Sequence, residues 1–219
     1  MITDPQEDYA RGEIPFLGVT VRLDSKPLIP RTETEYWTEQ AITDMSGVGH
    51  RTCQVLDLFS GSGCIGLAVL AHIPGAHVTF ADKEARHFPT IQKSITLNGI
   101  DSARVTFIES DVWSSISGAF DVVLANPPYI SRERATASED VIGYEPHEAL
   151  FADDDGFALI EQFLHDLPSH IHKGGTAWIE HEPFQATRIT QVAATHGFSA
   201  TTHTDQYNIK RYTILRHMA

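Results

Sequence analysis

Basic residues are scarce. Sixteen lysines and arginines stand against 29 aspartates and glutamates in 219 residues, a net charge of −13. A field of that sign repels a phosphate backbone rather than gathering it, so a nucleic-acid partner is disfavoured. Cysteine is nearly absent: Cys53 and Cys64 lack metal-ligand spacing and read as buried free thiols of a reducing compartment. The twelve histidines include no His-Glu-x-x-His pair, and no metal site is expected. Long apolar runs are missing too. Met1 to Asp8 is acidic with no apolar stretch, which argues against a secretory signal or a transit peptide, and nothing approaches a membrane span. The expected setting is cytoplasmic, with no membrane partner. The length allows one sizeable α/β core with a short extension, and no internal repeat or low-complexity tract is present.

The strongest local signal is a strand, a glycine turn and a helix. Cys53 to Phe59 is an apolar run that passes into Ser60-Gly61-Ser62-Gly63-Cys64-Ile65-Gly66 and then Leu67 to Ala71. Gly61, Gly63 and Gly66 form G-x-G-x-x-G, where absent Cβ atoms let a ligand reach the backbone and let the helix press on the strand. A second strand, His77 to Ala81, ends on Asp82, roughly 20 residues after the first glycine, where a carboxylate can accept both hydroxyls of a ribose. The combination specifies an adenosine-containing cofactor. A third strand, Arg104 to Glu109, is followed by Ser110-Asp111-Val112-Trp113. Asp111 is placed to accept an adenine amine, and Val112 or Trp113 to cover the ring.

A fourth apolar run, Phe120 to Ala125, stops at Asn126-Pro127-Pro128-Tyr129. Neither proline can donate to a ladder, so the chain leaves the sheet there and Asn126 sits at a strand's carboxyl end, where open α/β sheets bind ligands. The Asn126 oxygen and the proline carbonyls are acceptors, and Tyr129 is a flat face. Such a cluster suits a planar NH2 group.

The remaining segments fill in the architecture. Val19 to Leu23 alternates as a short strand of a hairpin-like flap outside the core. Thr32 or Thr34 can cap a helix with Trp37, Ala41 and Met45 on one stripe, closed by Ser46 to Gly49. A further helix spans about Glu84 to Asn98, with Pro89 in its early turns or kinking it. The polar stretch from Ser131 to Asp155 reads as a lid, and Asp153-Asp154-Asp155 as a solvated turn. A helix through Phe157, Ile160, Phe163 and Leu164 precedes a fifth strand, Thr176 to Glu180, introduced by Lys173-Gly174-Gly175; another helix covers Phe184 to His196. Gly197 to His203 and Arg211 to Arg216 form two strands with no helix between them, an antiparallel pair. The fold expected is α/β, a doubly wound Rossmann-like seven-stranded sheet with an antiparallel closing hairpin. Residues 1–32 form an extension with a short β-hairpin, and 33–219 the main domain.

From about Phe16 to its end, this pattern resembles the class I S-adenosylmethionine-dependent methyltransferases, and Asn126-Pro127-Pro128-Tyr129 is similar to the signature of their branch that methylates planar nitrogens. Three segments narrow the resemblance to the release-factor glutamine N5-methyltransferases: Leu28 to Glu35, Asn126 to Ile130, and Glu145 to Leu150. The resemblance implies that Phe59, Ser60, Gly61, Ser62 and Gly63 wrap the methionine moiety of S-adenosylmethionine, that Asp82 holds the ribose, and that Asp111 and Val112 border the adenine. Asn126 touches both cofactor and substrate; with Pro127, Pro128 and Tyr129 it holds the substrate amide, and Asn126, Pro127 and Tyr129 carry catalysis. Arg31 and Glu33 would tie the flap to the site. The implied partner is a peptide chain release factor, with a helper subunit in place of the family's amino-terminal helical domain. Three positions depart from the pattern: Phe59 replaces a glycine, Thr32 a proline, and Glu182 the glycine of the Glu-x-Gly-x-x-Gln segment. The Asp57 to Gly63 loop is instead similar to that of ribosomal-RNA guanine N2-methyltransferases, which makes an RNA or DNA amino-group methyltransferase the alternative.

Overall fold

A computed structural model describes residues 5–47, 52–131 and 144–217. Val48 and Gly49 of the expected helix end, and 132–143 of the expected lid, lie outside the described residues.

Helix α1 (Pro5–Arg11) leads into an antiparallel hairpin, β1 (Glu13–Phe16) and β2 (Val19–Arg22), with Phe16 opposite Val19. Leu17 and Gly18, at φ of 42° and 81°, supply the two left-handed residues that a tight hairpin turn needs. The expectation of a flap outside the core is corrected here. Phe16, Val19, Val21, Leu23 and Ile29 are all buried in one cluster with Leu67, Phe80 and Ile91. The hairpin is also pinned by polar bonds: Asn98 exchanges two with Thr20, and the Arg22 N–H donates to Ser94.

Helix α2 (Thr32–Ser46) buries Trp37, Ala41 and Met45 as its spacing predicts. Neither threonine caps it. Arg31 holds the cap position without a side-chain bond, and the helix begins on Glu33 and Glu35, acids that suit the positive end of its dipole.

The main sheet then follows: β3 (Cys53–Leu58), α3 (Cys64–His72), β4 (Ala76–Asp82), α4 (Phe88–Leu97), β5 (Val105–Glu109) and β6 (Phe120–Ala125). Pro89 stands in the first turn of α4, where its missing N–H costs nothing. After the short pair β7 (Ile130–Ser131) and β8 (Phe151–Ala152) come α5 (Ala158–Asp166), β9 (Ile171–Glu180), α6 (Ala186–Thr195), β10 (Phe198–Thr204) and β11 (Lys210–His217).

The seven long strands lie in the order β10-β11-β9-β6-β3-β4-β5. Six run in one direction and β11 is reversed, antiparallel to both β9 and β10, so the expected architecture with its antiparallel closing hairpin stands. No helix joins β5 to β6 among the described residues. Trp113 covers that crossover, stacked against Phe163 and His170 with its N–H on the Phe163 carbonyl, so it is packed as a core aromatic. The fifth parallel strand starts earlier than expected, at Ile171, and slips register against β6 between Phe120 and Val122. Gly175 permits that slip: a Cβ there would stand 2.8 Å from the Asp121 carbonyl oxygen. Chain order reverses between β3 and β6, which opens a crevice at their carboxyl ends.

Candidate active site

The crevice is a cavity of about 310 Å³ with a smaller one of about 40 Å³ beside it. Asp82, Asp111, Val112 and Pro128 line the larger; Ser60, Ser62 and Thr34 line the smaller; Phe59, Gly61 and Asn126 face both. Pro127 is buried behind them and Tyr129 is half-buried at the corner. Gly63, at φ 76°, turns the chain into α3, and a Cβ there would press on Ile91 at 2.9 Å.

The glycine turn is shaped to receive a ligand. A Cβ on Gly61 would meet nothing closer than 3.9 Å, so its open face belongs to the cavity. Two buried oxygens beside it, Ser60 Oγ and Asp57 Oδ1, have no partner among the described residues. Buried polar atoms are rarely left so, and they suit a polar ligand head. Burial pushes the Asp57 carboxyl well above the ordinary carboxylate range, although its other oxygen accepts the Gly66 N–H at 2.9 Å.

Strain marks the same wall. Phe59 and Val112 hold left-handed backbones, at φ 63° and 50°, which bulky side chains adopt only when their surroundings enforce it. A positive φ of this kind favours glycine, so Phe59 is held there against its own preference. Glu182, by contrast, sits at φ −70°, ψ 148°, where no glycine is required, and forms a capping box with Gln185.

Asp82 ends β4 with its carboxylate already engaged: Oδ2 accepts the Gly61 N–H at 2.7 Å and Oδ1 that of Glu84 at 2.8 Å. Lone pairs remain for a hydroxyl. Burial raises its pKa and lowers that of the neighbouring His87, whose Nδ1 lies 2.9 Å from Ser25 Oγ. Asp111 stands at the exposed rim, paired with Lys83 at 2.7 Å.

The opposite wall comes from the segment after residue 144, where Pro146, Ala149 and Phe151 face the cavity. Arg31 pairs with the fully buried Glu145 side chain, which also accepts the Ile29 N–H at 3.1 Å, and Arg86 pairs with Glu148 at 2.6 Å. Arg31 thus acts as expected, whereas Glu33, among the described residues, accepts from Thr32; it is Glu35 that accepts from the hairpin, at Leu17 N. Asp153 to Asp155 are exposed and diverge, Asp154 toward Arg188 and Asp155 toward Ser131.

Glu180, read from the sequence only as the end of a strand, stands at the centre of this corner. Almost wholly buried, it accepts from Thr34 Oγ1 at 2.8 Å and Trp37 Nε1 at 2.6 Å on one oxygen and from the Tyr129 hydroxyl at 2.8 Å on the other. Burial raises its pKa and those three donors oppose the rise; burial beside it raises that of Tyr129. Gln185 completes the brace by donating to the Tyr129 carbonyl at 3.0 Å. His181 faces inward: Nδ1–H donates to the Glu182 carbonyl, Nε2 accepts from Thr213, and burial lowers its pKa to about 4.

Sheet order, glycine turn and proline corner together define a class I methyltransferase. The same fold occurs in the Thermus thermophilus 16S rRNA N2 G1207 methyltransferase solved with AdoMet and guanosine, at a TM-score of 0.63 and 18% identity over 94% of this chain and 50% of that one. Residues 42–143 match the methyltransferase small domain. More particularly, the chain belongs to the release factor glutamine methyltransferase family: it is 32% identical to the Chlamydia trachomatis release factor glutamine methyltransferase over 96% of this chain and 72% of that protein. The Chlorobaculum tepidum release factor glutamine methyltransferase is 36% identical over 78% of this chain, which spans 61% of that relative's length. Among the described residues no helix is long and apolar enough to cross a membrane.

Proposed function

We propose that this protein, working in the cytoplasm, methylates the side-chain amide nitrogen of a glutamine in the Gly-Gly-Gln segment of a peptide chain release factor, with S-adenosylmethionine as donor. The observation that carries this reading is Asn126 at the junction of two cavities, lining both. S-adenosylmethionine, when bound, supplies a methyl group on a sulfonium, open to in-line displacement.

The chain's own residues do the rest. Phe59 to Gly63 hold the methionine end, Asp82 a ribose hydroxyl, and Asp111 with Val112 the adenine. Oδ1 of Asn126 and the Pro127 carbonyl accept the two hydrogens of the glutamine NH2, while Pro128 and Tyr129 flank its plane. An amide nitrogen is a poor nucleophile because its lone pair is shared with the carbonyl; two fixed acceptors favour the pyramidal nitrogen of the transition state. Holding it beside the donor lowers the barrier further. As the C–N bond forms the S–CH3 bond breaks, S-adenosylhomocysteine leaves, and the amide nitrogen gives up one proton to solvent, since Glu180 is already engaged by three donors and both nitrogens of His181 are occupied.

Incubation with labelled S-adenosylmethionine and a purified bacterial release factor should place one methyl on the Gly-Gly-Gln glutamine, read by mass spectrometry of the digest. Label on added RNA or DNA, with the release factor unlabelled, would replace this reading by the nucleic-acid amino-group alternative. The net charge of −13 works against that outcome.

A further inference from the structure

A carboxamide offers an acceptor on one side and two donors on the other, so which way Asn126 faces decides what it can hold. Its Nδ2 lies 3.2 Å from Oγ1 of Thr34. The single hydroxyl hydrogen of Thr34 is directed at Oε2 of Glu180, 2.8 Å away. That oxygen also takes the indole N–H of Trp37 at 2.6 Å, and an indole can only donate. With the hydrogen of Thr34 committed to Glu180, its hydroxyl turns a lone pair to Asn126, which attracts an NH2 and repels a carbonyl oxygen. Thr34 and Trp37 are buried, so water offers no exchange of partners.

We propose that Thr34, held by Glu180, is a positioning residue that orients the Asn126 carboxamide with its oxygen toward the acceptor amide. The inference rests on the glutamine-amide reading of the site. An inverted Asn126 would set its own NH2 against the substrate's, donor against donor. The relay therefore selects an acceptor group that brings hydrogens rather than lone pairs. Its members come from three places, helix α2, strand β9 and the corner after β6. The same Glu180 holds the Tyr129 hydroxyl on its other oxygen, so one carboxylate orders both ends of the Asn-Pro-Pro-Tyr corner.

The test compares Thr34→Val, which keeps the shape and loses the hydroxyl, with Thr34→Ser, which keeps the hydroxyl, in the full chain. Thr34→Val should lose about 30-fold or more in kcat/KM for the release factor while affinity for S-adenosylhomocysteine stays within about threefold. Thr34→Ser should stay within about threefold of wild type. In the S-adenosylhomocysteine complex, NMR should show the Asn126 side-chain NH2 exchanging about tenfold faster or more in Thr34→Val than in wild type or Thr34→Ser. Full activity in Thr34→Val, or an equal loss in both variants, overturns the proposal. Should wild type transfer no methyl to the release factor, the functional reading fails and the exchange data alone decide: equal rates in wild type and Thr34→Val refute the relay. If Thr34→Val does not fold, Glu180→Gln decides. Its remaining acceptor oxygen serves Thr34 and Trp37, so Asn126 protection must persist, and its loss refutes the proposal.

Discussion

The hydroxyl of Tyr129 donates to Oε1 of Glu180 across 2.8 Å, joining the corner after the fourth parallel strand to the last residue of the fifth. Because Glu180 also serves Thr34 and Trp37, its removal leaves two buried donors and one half-buried one without their acceptor. Glu180→Ala should cost about 2–4 kcal/mol in urea unfolding. Glu180→Gln keeps one acceptor oxygen and offers an NH2 to the Tyr129 oxygen, and should cost about 1 kcal/mol or less. Equal losses in the two variants would show that packing, not pairing, sets the effect.

Gly156 is expected to be intolerant where Gly18 is not. Both have φ of +81°, so Ala at either carries the same backbone penalty of about 1 kcal/mol. At Gly18 the new Cβ meets nothing within 4 Å, whereas at Gly156 it would lie 2.0 Å from the Tyr129 carbonyl oxygen. Gly156→Ala should therefore displace the proline corner. Methyl transfer should fall about tenfold or more beyond any change in Gly18→Ala, measured as kcat/KM on the same release factor.

Arg31→Gln removes the cation that faces the buried Glu145 carboxylate. An uncompensated buried charge is costly, and the segment carrying Pro146 and Ala149 should loosen from the cavity wall. Calorimetric affinity for S-adenosylhomocysteine should drop about tenfold. Adding Glu145→Gln should restore most of it. Failure of the double variant to recover would mean that the cation does more than balance Glu145.

His181 gives stability a pH dependence of defined sign. Folding lowers its pKa from 6.5 to about 4, so below 6.5 the unfolded chain takes up a proton that the folded one refuses. The stability this contributes is full above pH 6.5 and is lost as pH falls toward 4. Between pH 7 and 5 the loss should be about 2 kcal/mol, seen as the change in the stability difference between wild type and His181→Asn. The buried acids Asp57 and Glu180, with raised pKa values, contribute the opposite slope in wild type and variant alike, which is why the difference is the quantity to follow.

The parallel strands were legible because each is a short apolar run stopped by glycine, proline or a carboxylate, and so were the glycine turn, Asp82 and the proline corner that those stops place at one end of the sheet. Burial of the hairpin was not. Val19 to Leu23 alternates, which announces two faces without saying what covers one of them, and α3 and α4 are distant in sequence. Glu180 escaped for the same reason: its partner Thr34 is 146 residues away, and a strand-end acid alone does not reveal which donors converge on it. Trp113 was ambiguous between ligand cover and core, and the sequence does not reveal that Phe163 and His170, about 50 residues on, stack against it.

The buried hairpin also bears on how a shortened protein would behave. A version trimmed to begin at α2 would strip Phe16, Val19, Val21 and Leu23 from the outer side of α3 and α4 and leave Asn98 and Ser94 without their strand partners. The bared greasy surface would favour self-association over catalysis, so a protease that nicked the exposed stretch around Asp24 should find both fragments still clinging together under native conditions.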